Sequence, residues 1–189
     1  MEFQEIMNYP LLNLGLSQIF LNEDKVEAVK KWFRSDDMSI FQPLRVHDYG
    51  NGKYTIIDGH SRAYVAYTKG LEVVPIIYDK TDMVAGETGQ KLYLADIEWC
   101  DRFHIKNISD LEKRIISGEQ YRRLWMGRCD RSYDLLTQTT ESERKIMQQK
   151  APKLFLYGAE EDLSELYFED SSGKLYVYRN DVLNAEYGD

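Results

Sequence analysis

A β-type run that ends in Asp58-Gly59 and passes at once into a helical pattern constrains this chain more than any other stretch. Tyr54, Thr55, Ile56 and Ile57 are aromatic or β-branched, the residue types that suit a pleated, half-buried surface. The pattern from His60 to Lys69 is helical and stops at Gly70. A glycine between a strand end and a helix start lets the backbone come close to an anion. The first helical turn then offers free N–H groups at the positive end of the helix dipole. Arg62 adds a planar fork of donors that matches phosphate oxygens, and Asp58 adds a carboxylate able to hold Mg²⁺ or to accept a proton. The same spacing fits an ordinary β–turn–α corner with a capping Asp and a surface Arg. On the local pattern both readings of Asp58, Gly59, His60, Ser61 and Arg62 stay open.

The surrounding residues predict a small α/β unit. A short strand is expected around Leu14–Ile19. Asn22 then serves as N-cap of a helix whose first turn carries Glu23 and Asp24 and whose inner face carries Val26, Val29 and Phe33. Strands Leu44–Tyr49 and Tyr54–Ile57 flank Gly50-Asn51-Gly52, a hairpin signal. The strand Val73–Tyr78 closes the unit. Asp79 to Gln90 is polar and reads as a loop. Helices are expected over Lys91–Phe103, Ser109–Ser117, Glu119–Leu136 and Thr140–Lys150, the last opened by a Thr140/Glu143 capping box. Leu163–Glu169 and Lys174–Arg179 alternate about Asp170-Ser171-Ser172-Gly173 and predict a terminal hairpin. The expected organisation is residues 1–80, a helical segment 81–150 and a hairpin extension 151–189.

With 43% hydrophobic and 30% charged residues, the 189-residue chain can bury a core. Its net charge of −8 opposes a broad nucleic-acid surface, whose affinity comes from neutralising phosphates. Cys100 and Cys129 make neither a disulfide framework nor a zinc pattern and read as reduced thiols. No apolar run reaches membrane-spanning length, and Met-Glu-Phe-Gln-Glu at the start lacks a basic, signal-like segment. A cytoplasmic protein that does not bind a membrane is expected. His47 and His104 stand alone and predict no metal cluster. Arg122, Arg123, Arg128 and Arg131 are interleaved with Glu119, Asp130 and Asp134, which reads as a solvated, salt-bridged face. Trp99, Tyr121, Trp125 and Tyr133 read as the core of the helical part.

Segment 16–78 resembles the ParB/sulfiredoxin-like family. The resemblance rests on Leu16-Ser17-Gln18-Ile19, on Phe41-Gln42-Pro43-Leu44-Arg45-Val46 and on the strand ending in the Asp58–Arg62 loop. Gly70-Leu71 and Val73-Val74-Pro75-Ile76-Ile77 complete it. It implies an α+β fold: a ParB/sulfiredoxin-like α/β domain, followed here by the helical segment and the C-terminal β-hairpin. Sulfiredoxins carry a reactive cysteine in this loop. Here the position is His60, so that chemistry is excluded. The Gly-Glu-Arg-Arg loop of chromosome-partition ParB proteins, which binds CTP, is replaced at two charged positions by His60 and Ser61. The helices that follow lack a clear recognition-helix signature.

The Asp-Gly-His-His-Arg loop of the family's free serine kinases is closer, with Ser61 the one departure. That likeness implies a nucleotide (ATP, ADP or CTP) held with Mg²⁺ by Asp58, Gly59, His60, Ser61 and Arg62. It also implies phosphoryl transfer to a free amino acid or similar small hydroxyl compound. Asp58 is the expected metal ligand and a catalytic carboxylate. Glu23, at the start of the first helix, is the expected base by position, with Glu27 as its fallback. The alternative is a non-catalytic module, nucleotide-gated or associated with DNA.

Overall fold

The connection between the two edges of the main sheet dictates its shape. A computed structural model of the protein describes residues 5–180, and the chain divides into two units, Met1–Trp125 and Met126–Asp189. The first unit opens with β1 (Ile6–Pro10), a 3₁₀ turn (Leu11–Asn13) and β2 (Gly15–Leu16). Next come β3 (Leu21–Asn22), α1 (Glu23–Trp32), β4 (Leu44–Asp48), β5 (Tyr54–Asp58), α2 (His60–Thr68) and β6 (Val73–Tyr78). The sheet order is β1-β6-β4-β5-β2. A flat sheet would hold β1 and β2 four strand spacings apart, about 19 Å. The five residue steps from Pro10 to Gly15 reach about 17 Å even when extended, and part of that stretch is wound into the 3₁₀ turn. The sheet therefore curls. The rings of Tyr9 in β1 and Tyr54 in β5 accordingly meet at 5.3 Å, although their strands are three places apart.

Inside the curl lie Leu14, Leu16, Leu44, Val46, Ile56, Val74 and Ile76, all buried. Helix α2 buries Ala63, Val65 and Ala66 completely, which leaves it no solvent stripe over that turn. Asn22 caps α1 as expected, its side chain accepting from the Asp24 N–H. The Gly50-Asn51-Gly52 turn joins the antiparallel β4 and β5. Strand β1 had no counterpart in the sequence reading. The expected strand around Leu14–Ile19 is reduced to the two-residue β2.

The polar stretch read as a loop from Asp79 contains α3 (Asp82–Ala85) and the start of α4 (Glu87–Arg102). A 3₁₀ helix, Ile108–Arg114, follows in place of the helix expected over Ser109–Ser117, and Asn107 caps it. It leads into β7 (Ile115–Ile116), which pairs in parallel with β3. The helix expected over Glu119–Leu136 is helical throughout but not uniform: α5 (Gly118–Tyr121) passes into a π-helical stretch, Arg122–Met126, before α-helical bonding resumes at Gly127. Trp99, Tyr121 and Trp125 are buried as expected, with Trp99 and Trp125 edge to face at 5.9 Å.

In the second unit α6 (Gly127–Gln138) and α7 (Glu141–Gln149) precede an antiparallel sheet, β10-β9-β8. Its strands are β8 (Phe155–Ala159), β9 (Glu165–Glu169) and β10 (Leu175–Arg179). The Thr140/Glu143 capping box and the β9–β10 hairpin both form. Leu135, Ala159, Leu166 and Phe168 make the core. Two expectations are corrected here. Tyr133 is half exposed rather than core. Arg128 is buried rather than solvated: its guanidinium pairs with buried Glu169 and lies 4.5 Å from the centre of the Tyr157 ring. Among the described residues no helix is long and apolar enough to cross a membrane. The chain is thus a mixed α/β protein with a C-terminal antiparallel strand set.

Candidate functional site

Gly59 joins β5 to α2 with φ +104°, in the left-handed region that disfavours side chains. A Cβ here would stand 2.8 Å from Leu44 Cδ2 and 2.8 Å from Arg62 Nη2. The backbone conformation thus favours glycine, and a Cβ would also push aside the ends of the Leu44 and Arg62 side chains. The first helical bond runs from the Ala63 N–H to the Gly59 carbonyl at 2.9 Å. The N–H groups of His60, Ser61 and Arg62 therefore have no intrahelical acceptor, and no side chain caps the helix. The residues that carry them line a cavity of about 330 Å³.

Asp58, Gly59, His60, Ser61 and Arg62 all line that cavity. Helix α1 contributes Lys25, Ala28 and Val29, and Gln18, Ile57 and Tyr121 complete the wall. Lys25 escaped the sequence reading, as did Gln18 and Tyr121. The signal for Lys25 was its helical spacing to Ala28 and Val29, which places all three on one face. Nothing local pointed to Tyr121. Its ring lies 5.7 Å from Lys25 Nζ, a cation–π distance.

Glu23 is not brought into this group. It stands two residues before Lys25, about 200° around the helix, and is exposed outside the cavity lining. Glu27 is turned away as well, paired with Lys30 at 2.7 Å.

His60 occupies the first helical position with its ring buried. Its Nε2 accepts the Ser17 backbone N–H at 3.3 Å, a role open only to neutral imidazole. Burial pushes its pKa down to about 3. The residue thus presents its backbone N–H as a donor, while its ring ties α2 to the segment after β2. Ser17 is fixed in turn by its hydroxyl, which donates to the Ile56 carbonyl at 2.8 Å.

Arg62 folds back beneath Gly59. Its Nη2 donates to Asp58 Oδ2 at 2.9 Å and its Nη1 to Gln42 Oε1 at 2.9 Å. Its Nε is buried without a hydrogen-bond partner among the described residues. The Arg62 side chain is 16% exposed and that of Asp58 60%. The guanidinium is held while the carboxylate is accessible. Among the described residues no three His, Cys, Asp or Glu side chains come together in a way that could hold a metal ion. Asp58 fits a Mg²⁺ ion shared with phosphate oxygens, which takes one or two carboxylates, and does not fit an all-protein cage.

No family model matches the chain, and no curated protein sequence matches it. Among solved structures it is similar to protein Atu1540 from Agrobacterium tumefaciens, at 13% identity and a TM-score of 0.40, over 79% of this chain and 86% of that one. It is also similar to the C-terminally truncated chromosome-partitioning protein ParB from Caulobacter crescentus complexed with CTP-γ-S, at 15% identity and a TM-score of 0.31. That match covers 66% of this chain and 89% of the ParB chain. Neither likeness bears on the chemistry of the cavity.

Proposed function

We propose that the first unit binds a nucleotide by its phosphate groups in the cavity at the start of α2. The observation that carries this reading is the convergence of Lys25, Arg62 and the uncapped N-terminus of α2 on one cavity, with a single lining carboxylate among the described residues. Backbone N–H groups and the helix dipole favour an anion there. The two cations would add charge-assisted bonds. Bound Mg²⁺, held by Asp58 and the phosphates, would supply neutralisation of phosphate charge.

The activity in keeping with this geometry, and with the resemblance of the Asp58–Arg62 loop to free serine kinases, is transfer of a phosphoryl group to a small hydroxyl compound such as a free amino acid. Positioning and charge stabilisation carry most of such a reaction. The chain's own contributions would be the fixed Gly59 turn, the N–H groups of α2, Arg62 and Lys25.

The second reading is a nucleotide-binding module without catalysis. It is favoured by the position of Glu23, which leaves Asp58 as the one carboxylate lining the cavity among the described residues. Calorimetric titration with ATP, ADP and CTP in the presence of Mg²⁺ tests the binding; no saturable signal for any of them would remove the reading. Transfer of labelled γ-phosphate to a panel of free amino acids then separates the two activities.

A further inference from the structure

We infer that Asp58 makes phosphate binding at this site depend on a divalent cation, by occupying the Arg62 fork until the cation draws it away. This rests on the proposed phosphate reading of the cavity and concerns how the site is regulated. Four observations carry it. The Asp58 carboxylate sits on Arg62 Nη2 at 2.9 Å, where a phosphate oxygen would sit. Arg62 cannot withdraw from beneath Gly59 at will, because Gln42 holds its other terminal nitrogen at 2.9 Å. Its Nε is buried without an acceptor among the described residues, so the resting arrangement leaves one donor of the fork unused. The Asp58 side chain, in contrast, is 60% exposed, so a solvent-borne cation can reach its carboxylate.

An incoming phosphate without a cation must displace a carboxylate from its arginine and then lie beside that same negative charge. With Mg²⁺ present the carboxylate gains a new partner, the phosphate takes its place on Arg62, and the like-charge contact becomes a bridge through the cation. Asp58 is thereby a specificity residue. It selects phosphate delivered with a divalent cation over phosphate alone, and over monovalent anions that cannot recruit one.

The test uses inorganic pyrophosphate and ADP as probes, titrated calorimetrically into the full chain and into Asp58→Asn, each with and without Mg²⁺. Melting curves confirm that the exposed substitution leaves the fold intact. For the parent, Mg²⁺ should tighten binding. Asp58→Asn should bind metal-free pyrophosphate about 1.5-fold to fivefold tighter than the parent, the range an exposed ion pair can contribute, and should lose most of the Mg²⁺ effect. Metal-free binding that is unchanged or weaker in Asp58→Asn overturns the inference while leaving the phosphate site standing. A Mg²⁺ effect that survives Asp58→Asn overturns it equally. Absence of binding by both proteins under both conditions removes the phosphate site and the inference together.

Discussion

The buried ring of His60 accepts the backbone N–H of Ser17 at 3.3 Å, so the helix that opens the candidate site is pinned to the edge-strand segment by a neutral histidine. Burial lowers its pKa to about 3, below the ordinary value near 6.5. The unfolded chain therefore binds a proton that the folded chain refuses. This contribution to stability is fully present above about pH 6.5 and is lost as pH falls toward 3. Denaturant unfolding of the parent from pH 7 to pH 4 should show the decline. His60→Asn should be less stable at pH 7 and should lose much of that slope. An equal slope in both proteins would assign the acid sensitivity elsewhere.

Gly59→Ala should cost about 1–3 kcal/mol, since the residue is forced to positive φ and its Cβ meets Leu44 and Arg62. Gly52→Ala is the control: its φ is +70° but nothing lies within 4 Å of a Cβ. It should cost less, about 1 kcal/mol. Urea midpoints that are equal for the two variants would remove the crowding argument.

Arg62→Ala should weaken nucleotide binding by about 1.5–3 kcal/mol, the scale of a hydrogen bond to a charged group. Lys25→Ala, exposed on α1, should weaken it by a smaller amount that shrinks further at high salt. A Lys25→Ala variant with parental affinity at low salt would take α1 out of the site.

Glu23→Gln should leave nucleotide affinity unchanged within about twofold, because Glu23 lies outside the cavity lining. Phosphoryl transfer, if measured in the parent, should survive it. A fall of about 10²–10⁴-fold, the usual worth of a general base, would mean that α1 turns when substrate binds.

In the second unit, Arg128→Ala should destabilise by about 3–5 kcal/mol, because it strands the buried Glu169 carboxylate. The pair Arg128→Met with Glu169→Leu should recover most of that loss. A double variant as unstable as the single one would show that packing around Tyr157, rather than the ion pair, holds α6.

Much of this chain was legible residue by residue. The Asp58-Gly59 junction, the Gly50–Gly52 hairpin, the Asn22 cap and the Thr140/Glu143 box are local devices, in which side chains act on backbone a few residues away. Sequence spacing alone specifies them. The same holds for the β9–β10 hairpin, whose alternation and turn residues stand together.

Tertiary structure decided the remainder. Strand β1 contains an asparagine and a proline and becomes a strand only because β6 supplies its partner and the sheet curls. Arg128 looked like a surface charge among acids until β9 placed Glu169 against it. Lys25, Gln18 and Tyr121 are separated by up to about a hundred residues from one another and carry no shared motif; the packing of α1 against α2 and the return of α5 bring them to one cavity. Glu23, close to Lys25 in sequence, is excluded by the rotation of a helix. Local sequence determined which turn could face an anion. Long-range packing determined which side chains face it, because a side chain's partner across a fold depends on contacts that no local pattern encodes.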